Sequence, residues 1–278
     1  MITIDEIKQL KTITTMKKLF MVLAATLICG ACVFTSCKKD VIDLKKMIIG
    51  KWMLAEINGR TITTNDKVVY TFVSSTKAYM SASFSNDSNM SNLWSDQREV
   101  DVVISGKTMT VTFHPDQNVT TVDELSVIAI NGSGFTANYK TTVTEGGNVV
   151  YSRQGTMRFT KLKVDYRETI LGKWECTQLT GIETYNDVNA RLEFFADGTY
   201  KYWRKNDNGE WHAVNREFQD YFVDGKLLAT RWKIIGEPEL REWWEIASLK
   251  NGQMQWTALR QNADGTTAQQ GMKWVKVN

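Results

Sequence analysis

The chain has two histidines. His114 precedes Pro115 at the end of an apolar run, and His212 follows Trp211 in the other half of the chain. No His/Cys/Asp/Glu group has the short spacing of a zinc site, so no metal is expected. There is no Gly-x-Ser-x-Gly elbow and no glycine loop of the phosphate-cradling kind. Asn206-Asp207-Asn208-Gly209-Glu210 lacks the ladder of carboxylates that a calcium loop needs, and reads better as a hairpin turn. Glu237, Glu239, Glu242 and Glu245 are crowded, but their spacing fits a solvated strand edge as well as an acid–base pair. Catalysis requires positioned acid–base or nucleophilic groups, and none is visible. The expectation is a protein that is not an enzyme and carries no cofactor.

Binding chemistry is better represented, through tryptophan. Ten are present, and eight of them lie beyond residue 165. An indole offers a broad apolar face and one N–H donor, which suits cores, sugar faces and protein contacts. Strand parity sorts them. Trp256 alternates with Met254 and Ala258 against Gln253, Gln255 and Thr257, so it points inward. Trp232, Trp244 and Trp274 point inward by the same test. Trp203 shares a face with Lys201, and Trp243 with Glu245, so both point outward. A glycan, a partner protein or a neighbouring domain would meet them there; the neighbouring domain is preferred. Trp94 sits in the Ser- and Asn-rich stretch Ser85 to Gln97, read as a solvated loop pinned by one aromatic, with a lid as the alternative. Trp94, Trp203, Trp232, Trp243, Trp244 and Trp256 are the candidate ligand- or partner-binding residues.

The elements that carry these side chains come twice. Met47-Ile48-Ile49-Gly50-Lys51-Trp52 returns as Thr169-Ile170-Leu171-Gly172-Lys173-Trp174. Asp43 and Asp165 stand where they can cap a short helical turn ahead of each copy. After Trp52 come strand-like runs at Val68–Val73, Tyr79–Phe84, Val100–Ile104, Met109–Phe113, Leu125–Ile130, Phe135–Val143 and Val149–Leu162. After Trp174–Leu179 they fall at Arg191–Phe195, Thr199–Arg204, Trp211–Val223, Lys226–Lys233, Glu242–Leu249, Gln253–Leu259 and Gly271–Val277. Met109, Val111 and Phe113 alternate with Thr108, Thr110 and Thr112, the period of a half-buried strand. Asp-Gly or Asn-Gly turns at Asp197, Asp224, Asn251 and Asp264 are strong hairpin signals. The copies also close alike, with Met157-Arg158-Phe159-Thr160-Lys161-Leu162 against Met272-Lys273-Trp274-Val275-Lys276-Val277, so the chain is read as a duplication. The expected fold is all-β: two tandem eight-stranded up-and-down barrels, over residues 41–164 and 165–278. No Gly/Ser- or Pro-rich linker separates them, so they are expected to be fixed against each other.

The chain of 278 residues carries 34 Lys+Arg and 31 Asp+Glu, a net charge of +3. Residues 1–36 hold four lysines and two acids, which leaves the remainder near balance. A nucleic-acid binder would show a basic stripe, so none is expected as a partner. Residues 1–37 read as an upstream extension followed by a signal peptide. Met16-Lys17-Lys18 precedes the apolar run Leu19–Ser36, and the chain turns polar at Lys38-Lys39-Asp40. The small residue before Cys37 resembles the lipobox of bacterial lipoproteins, which implies cleavage there and lipidation of Cys37; Cys32, after Gly30-Ala31, is the competing site. Acyl chains, at about 0.8 kcal/mol per buried methylene, would then hold the protein on the outer membrane. Cys29 and Cys32 would leave with the signal. That leaves Cys176 without a disulfide partner, read as a small buried apolar residue.

Gly-x-Trp after a short helical turn, on the first of eight meandering strands, resembles the lipocalin family, and in particular the lipocalin-like domains of Gram-negative lipoproteins. Leu192-Glu193-Phe194-Phe195-Ala196-Asp197-Gly198-Thr199-Tyr200 is similar to the second hairpin of those domains. The resemblance implies that Trp52 and Trp174, behind Gly50 and Gly172, pack at the closed ends of the barrels. It implies too that a cation from the last strand lies over each; Lys161 and Lys276 hold those positions, where the family usually has arginine. A small apolar ligand is what the resemblance implies as cargo, and the first barrel, with its smaller inward residues, is where a cavity is expected. The expected protein is therefore a monomeric, lipid-anchored envelope lipoprotein that binds such a ligand. The alternative is a non-catalytic module that meets a glycan or partner protein through exposed tryptophans.

Overall fold

The Trp52 repeat folds into a closed barrel. The structure, a computed structural model, describes residues 42–82, 97–115, 117–182 and 188–278. Cys37 and Trp94 lie outside the described residues. A short helix α1, Leu44–Met47, leads into β1 (Gly50–Ile57), followed by β2 (Arg60–Thr61), a single 3-10 turn at Thr64–Asp66, β3 (Val68–Phe72), β4 (Lys77–Ala82), β5 (Arg98–Ser105), β6 (Thr108–Phe113), β7 (Val119–Ile130), β8 (Gly134–Glu145) and β9 (Asn148–Leu162). β2 pairs only with β1, β1 pairs with β3, each strand from β3 pairs with the next, and β9 returns to β1, so β1 and β3–β9 make a closed ring of eight. The period-two side chains turn Leu54, Met80, Val102, Val111, Leu125, Ala137 and Phe159 into one interior cluster.

The second repeat builds the same meander from β10 (Gly172–Thr180), β11 (Ala190–Phe194), β12 (Tyr200–Lys205), β13 (Trp211–Ala213), β14 (Phe218–Asp224), β15 (Leu227–Lys233), β16 (Glu239–Lys250), β17 (Gln253–Gln261) and β18 (Thr267–Val277). One expectation is corrected here. Trp211–Val223 is not one strand. β13 pairs with β12, whereas β14 pairs with β15 and meets the β12 side through a single bridge just before that strand. Lys205 faces Trp211, whereas Thr199 bridges to Asp220. The extra residues between β13 and β14 bulge out of the ladder, which thins the seam where this barrel closes. Elsewhere the copies agree closely. A bulge follows Leu54 in β1 and Cys176 in β10, each two residues past the motif tryptophan.

The entry turns differ from the capping expected of them. The Asp43 side chain makes no capping bond; its backbone carbonyl accepts the Lys46 and Met47 N–H groups at 3.1 and 3.0 Å. Its carboxylate instead lies 3.4 Å from the Lys46 ammonium. Asp165 does accept a backbone N–H, from Arg167 at 3.2 Å, but the segment forms a single turn closed by Ile170 N–H on the Tyr166 carbonyl.

Ile42–Asn278 forms one compact unit. Strand faces that point away from each interior supply the contact between barrels. Met53, Val69 and Leu162 of the first meet Phe222, Leu227, Ala229 and Trp243 of the second in a separate apolar cluster. A polar knot lies beside it. Asp224 is fully buried and takes the Lys51 ammonium, the Ser81 hydroxyl at 2.7 Å and the Gln97 side-chain amide at 3.5 Å. Lys51 also reaches Asp165 at 2.7 Å. Glu245 sits between Lys67 at 3.6 Å and Lys226 at 2.7 Å. Burial holds the Lys67 ammonium below its usual pKa, and Glu245 pulls the other way.

Cys176 is buried, and its Sγ–H points at the Gln178 carbonyl 3.7 Å away. Burial raises its pKa to about 11, so almost no thiolate exists near neutral pH. In a disulfide-exchange assay at pH 8, this thiol is expected to react about 100-fold or more slowly in the native protein than in denaturant. Fast native reaction would mean that the strand opens.

Candidate functional site

The closed end of each barrel is built by the repeated motif. Trp52 donates its indole N–H to the Ile48 carbonyl, and Trp174 donates to Ile170 at 2.6 Å, so each ring is tied to the turn four residues before it. Trp52 sits edge-on to Phe135, which stacks on Phe159 at 4.5 Å. Lys161 lies opposite Trp52 in the β1–β9 register, with its ammonium 4.6 Å from the ring centre and 3.1 Å from the Ile49 carbonyl. Lys276 faces Trp174 in the same way at 5.4 Å. Gly50 and Gly172 adopt φ of +122° and +106°, and a Cβ there would come within 3.1 and 3.0 Å of the crossing lysine's Cε. Only glycine meets both demands.

Beyond that shared floor the barrels diverge. The second is filled with rings. Trp244, Trp256 and Trp274 are buried in one cluster with Phe194, Tyr200 and Tyr221; Trp256 lies 4.7 Å from Trp274 and 5.9 Å from Trp244. Trp232 is half-buried, with the Arg216 guanidinium 4.9 Å from its ring. The first barrel instead opens into a cavity of about 1390 Å³ that runs from its interior to the second barrel's edge. Its walls are Leu54, Tyr70, Met80, Val111, Phe113, Leu125 and other inward side chains, with Phe159 among them. This exceeds the roughly 300–1,000 Å³ of ordinary ligand pockets.

The mouth of the cavity is composite. Arg60 comes from β2, Ile62, Asn65 and Asp66 from the connection that follows it, and Val150 and Tyr151 from β9. Arg260–Ala263, Gly265 and Thr267 come from the β17–β18 hairpin of the other barrel. The two sides are stitched together. Leu259 N–H donates to the Thr64 hydroxyl at 2.9 Å, and Arg260 donates to the Asn65 side chain. Arg260 is held in turn by Gln270 at 3.3 Å, by Glu242 at 3.7 Å and over the Trp244 ring at 4.8 Å. Burial pushes the Glu242 carboxyl up, and Arg260 opposes the shift.

A carboxyl stands on the cavity wall. Asp123 accepts the Thr141 hydroxyl at 2.5 Å and the Tyr70 hydroxyl at 3.3 Å, and all three side chains line the cavity. Burial raises the Asp123 carboxyl above its usual pKa; the two hydroxyls and the charge of Arg153 only partly offset it. A carboxyl whose folded pKa is raised contributes stability below its unfolded pKa, and loses it as pH climbs through the folded value. Asp123→Asn is therefore expected to raise the melting temperature at pH 7, by about 2–4 °C for each kcal/mol recovered. The gain should vanish as pH falls below about 4. A lower melting temperature at pH 7 would show that the charge stabilises the barrel.

The tryptophans singled out from sequence do not converge on a site. Trp243 is only 3% exposed and belongs to the contact between barrels, so it cannot meet a glycan. Trp203 is half-buried, with the Lys173 ammonium 5.3 Å from its ring. No tryptophan among the described residues is fully exposed. Tyr70, Asp123, Thr141 and Arg153 were not anticipated. The signal for Asp123 was available: Thr121, Asp123, Leu125 and Val127 share one parity, and an acid in that row is an acid aimed at the interior. β7 begins at Val119, six residues before the apolar run Leu125–Ile130 that marks it in the sequence.

The chain matches no family model and no curated protein sequence. Among solved structures it is similar to a candidate outer membrane protein from Bacteroides fragilis, at 11% identity and a TM-score of 0.21, over 84% of this chain and 99% of that one. It is also similar to transferrin binding protein B from Haemophilus parasuis, at 10% identity and a TM-score of 0.22, over 81% of this chain and 44% of that one. At those scores neither likeness says what this chain binds.

Proposed function

We propose that this protein is a lipid-anchored envelope binding protein whose first barrel carries a small apolar ligand, while its second barrel is a solid brace. The carrying observation is the contrast between the copies. Both share the motif floor, yet one interior is packed with indoles and the other opens into a cavity of about 1390 Å³ whose inner wall is apolar and whose outer wall is polar. The brace also contributes to binding, because its β17–β18 hairpin forms one side of the mouth. Lipidation at Cys37 would keep the protein at a membrane, which stores apolar molecules. The reading is of a carrier and not a catalyst. The alternative, recognition through outward tryptophans, is weakened by the burial of Trp243.

Binding is tested with N-phenyl-1-naphthylamine, an apolar dye that brightens when it leaves water. One dye per chain is expected. Val111 is buried and lines the cavity. Val111→Trp should fill part of that space and weaken the dye about tenfold or more, with an unchanged circular dichroism spectrum. Native mass spectrometry of protein taken from its own membrane should show an adduct that the variant lacks. Dye binding that ignores Val111→Trp would sink the carrier reading. Anchoring is checked separately: Cys37→Ser should move the protein from the membrane fraction to the soluble one.

A further inference from the structure

We infer that the ligand is not wholly apolar: it carries a hydrogen-bond-donating group, an amine or an alcohol, part-way along its length, and Asp123 receives it. The inference rests on the carrier reading and adds the ligand's polarity and where it falls. Depth comes from the register. On β7, Val119 and Thr121 lie toward the mouth, and Leu125 lies toward the floor; all line the cavity with Asp123 between them. Below that level the walls are apolar, with Leu54, Met80, Met157 and Phe159. At it stand the carboxylate, the Thr141 hydroxyl and the Tyr70 hydroxyl, with Arg153 opposite Thr141 on the next strand.

The carboxylate has room for more. Two oxygens offer about four acceptor sites, and the two hydroxyls occupy one on each oxygen. Among the described residues, no lysine or arginine lies within ion-pair distance of Asp123. Arg153, the nearest influence of that sign, lies against the Tyr139 ring at 5.8 Å. Structure alone gives no reason to keep an ion there, since an apolar residue would close the wall at less cost. A ligand's ammonium or hydroxyl would complete the set. A ligand carboxylate at the same depth would add like-charge repulsion to its own desolvation. The sequence of demands along the axis is thus apolar tail, donor, then a polar end at a mouth of mixed charge, with Arg60, Asp66, Glu145 and Arg260.

The test uses three probes of one chain length, decylamine, 1-decanol and decanoate, each displacing N-phenyl-1-naphthylamine at pH 7. In the parent protein the amine and the alcohol are expected to displace the dye at concentrations about tenfold or more below those needed for decanoate. Asp123→Asn should abolish the amine's advantage. Tyr70→Phe, which removes a donor to the same carboxyl and keeps the charge, should retain it. Melting curves on both variants confirm that each is folded. Equal or tighter displacement by decanoate, or an amine advantage that survives Asp123→Asn, overturns the assignment of the donor and leaves the carrier reading standing. Failure of the dye and of all three probes to bind overturns both.

Discussion

Asp224→Ala is expected to destabilise the two-barrel unit by about 3–5 kcal/mol in a urea titration. Asp224 is wholly buried where the barrels meet. It neutralises Lys51, whose side chain is only 18% exposed, and it accepts from Ser81 at 2.7 Å and Gln97 at 3.5 Å. Alanine leaves a buried ammonium and two donors short of an acceptor, and an uncompensated buried charge is the expensive outcome. Asp165, 2.7 Å from the same ammonium and 40% exposed, keeps part of the pairing. That favours the lower end of the range. Because all three donors come from the first barrel and the acceptor from the second, the shape of the transition should change too. The parent should unfold in one step by both fluorescence and circular dichroism. In the variant, the tryptophan-rich second barrel should part company with the first, and the two probes should no longer coincide. The double variant Lys51→Met with Asp224→Leu should recover most of the loss, since removing both charges also removes the desolvation problem. A loss under about 1 kcal/mol for Asp224→Ala would show that the apolar cluster around Trp243 holds the barrels together unaided.

The second large effect is expected at the motif tryptophans. Trp52→Ala and Trp174→Ala should each cost about 3–5 kcal/mol, the range for emptying a buried aromatic site. Both rings are essentially unexposed, and each is tied by its N–H to the turn that starts its barrel. The crossing lysines lie over the same rings but should matter much less. Lys161→Ala or Lys276→Ala should cost about 0.5–1 kcal/mol, as befits a cation–π contact that stays partly solvated. The two tryptophans differ in what else they support. Trp52 leans on Phe135, and Phe135 on Phe159, which lines the cavity. Trp52→Ala should therefore loosen the floor and weaken dye binding, whereas Trp174→Ala should lower stability and leave the dye's affinity nearly intact. Equal effects on the dye would mean that the two barrels are coupled beyond their shared mouth.

Much of the architecture was already present in local pattern. Period-two alternation around Val111, Ala137 and Trp256 marks inward faces, because successive residues of a strand must point to opposite sides. Asp-Gly and Asn-Gly pairs mark hairpins, because few other residues tolerate the backbone such turns need. The doubled Gly-Lys-Trp stretch marks where each ring begins, and a lysine two residues after each Met-x-aromatic sequence marks where it ends. These are near-neighbour rules, and one chain is enough to read them.

Other features depended on which strands come together. Whether a barrel is hollow is a sum over eight inward rows, and no single strand reports it; indoles from β16, β17 and β18 fill one ring, while Val, Leu, Thr and Asp rows leave space in the other. Met53 and Trp243 sit on the outward parity of their strands and are nevertheless buried, because a second barrel covers them. The split between β13 and β14 depends on their partners, β12 for one and β15 for the other, which only the assembled sheet supplies. Asp224 reads as a hairpin residue and Asp123 as one polar residue among several. Each became a buried charge only when the folded chain placed Lys51 beside the first and a cavity beside the second. Local sequence set where the chain turns and which way each side chain points. Only the closed and docked barrels set what those side chains meet, because burial and charge pairing belong to surfaces that exist after distant strands have assembled.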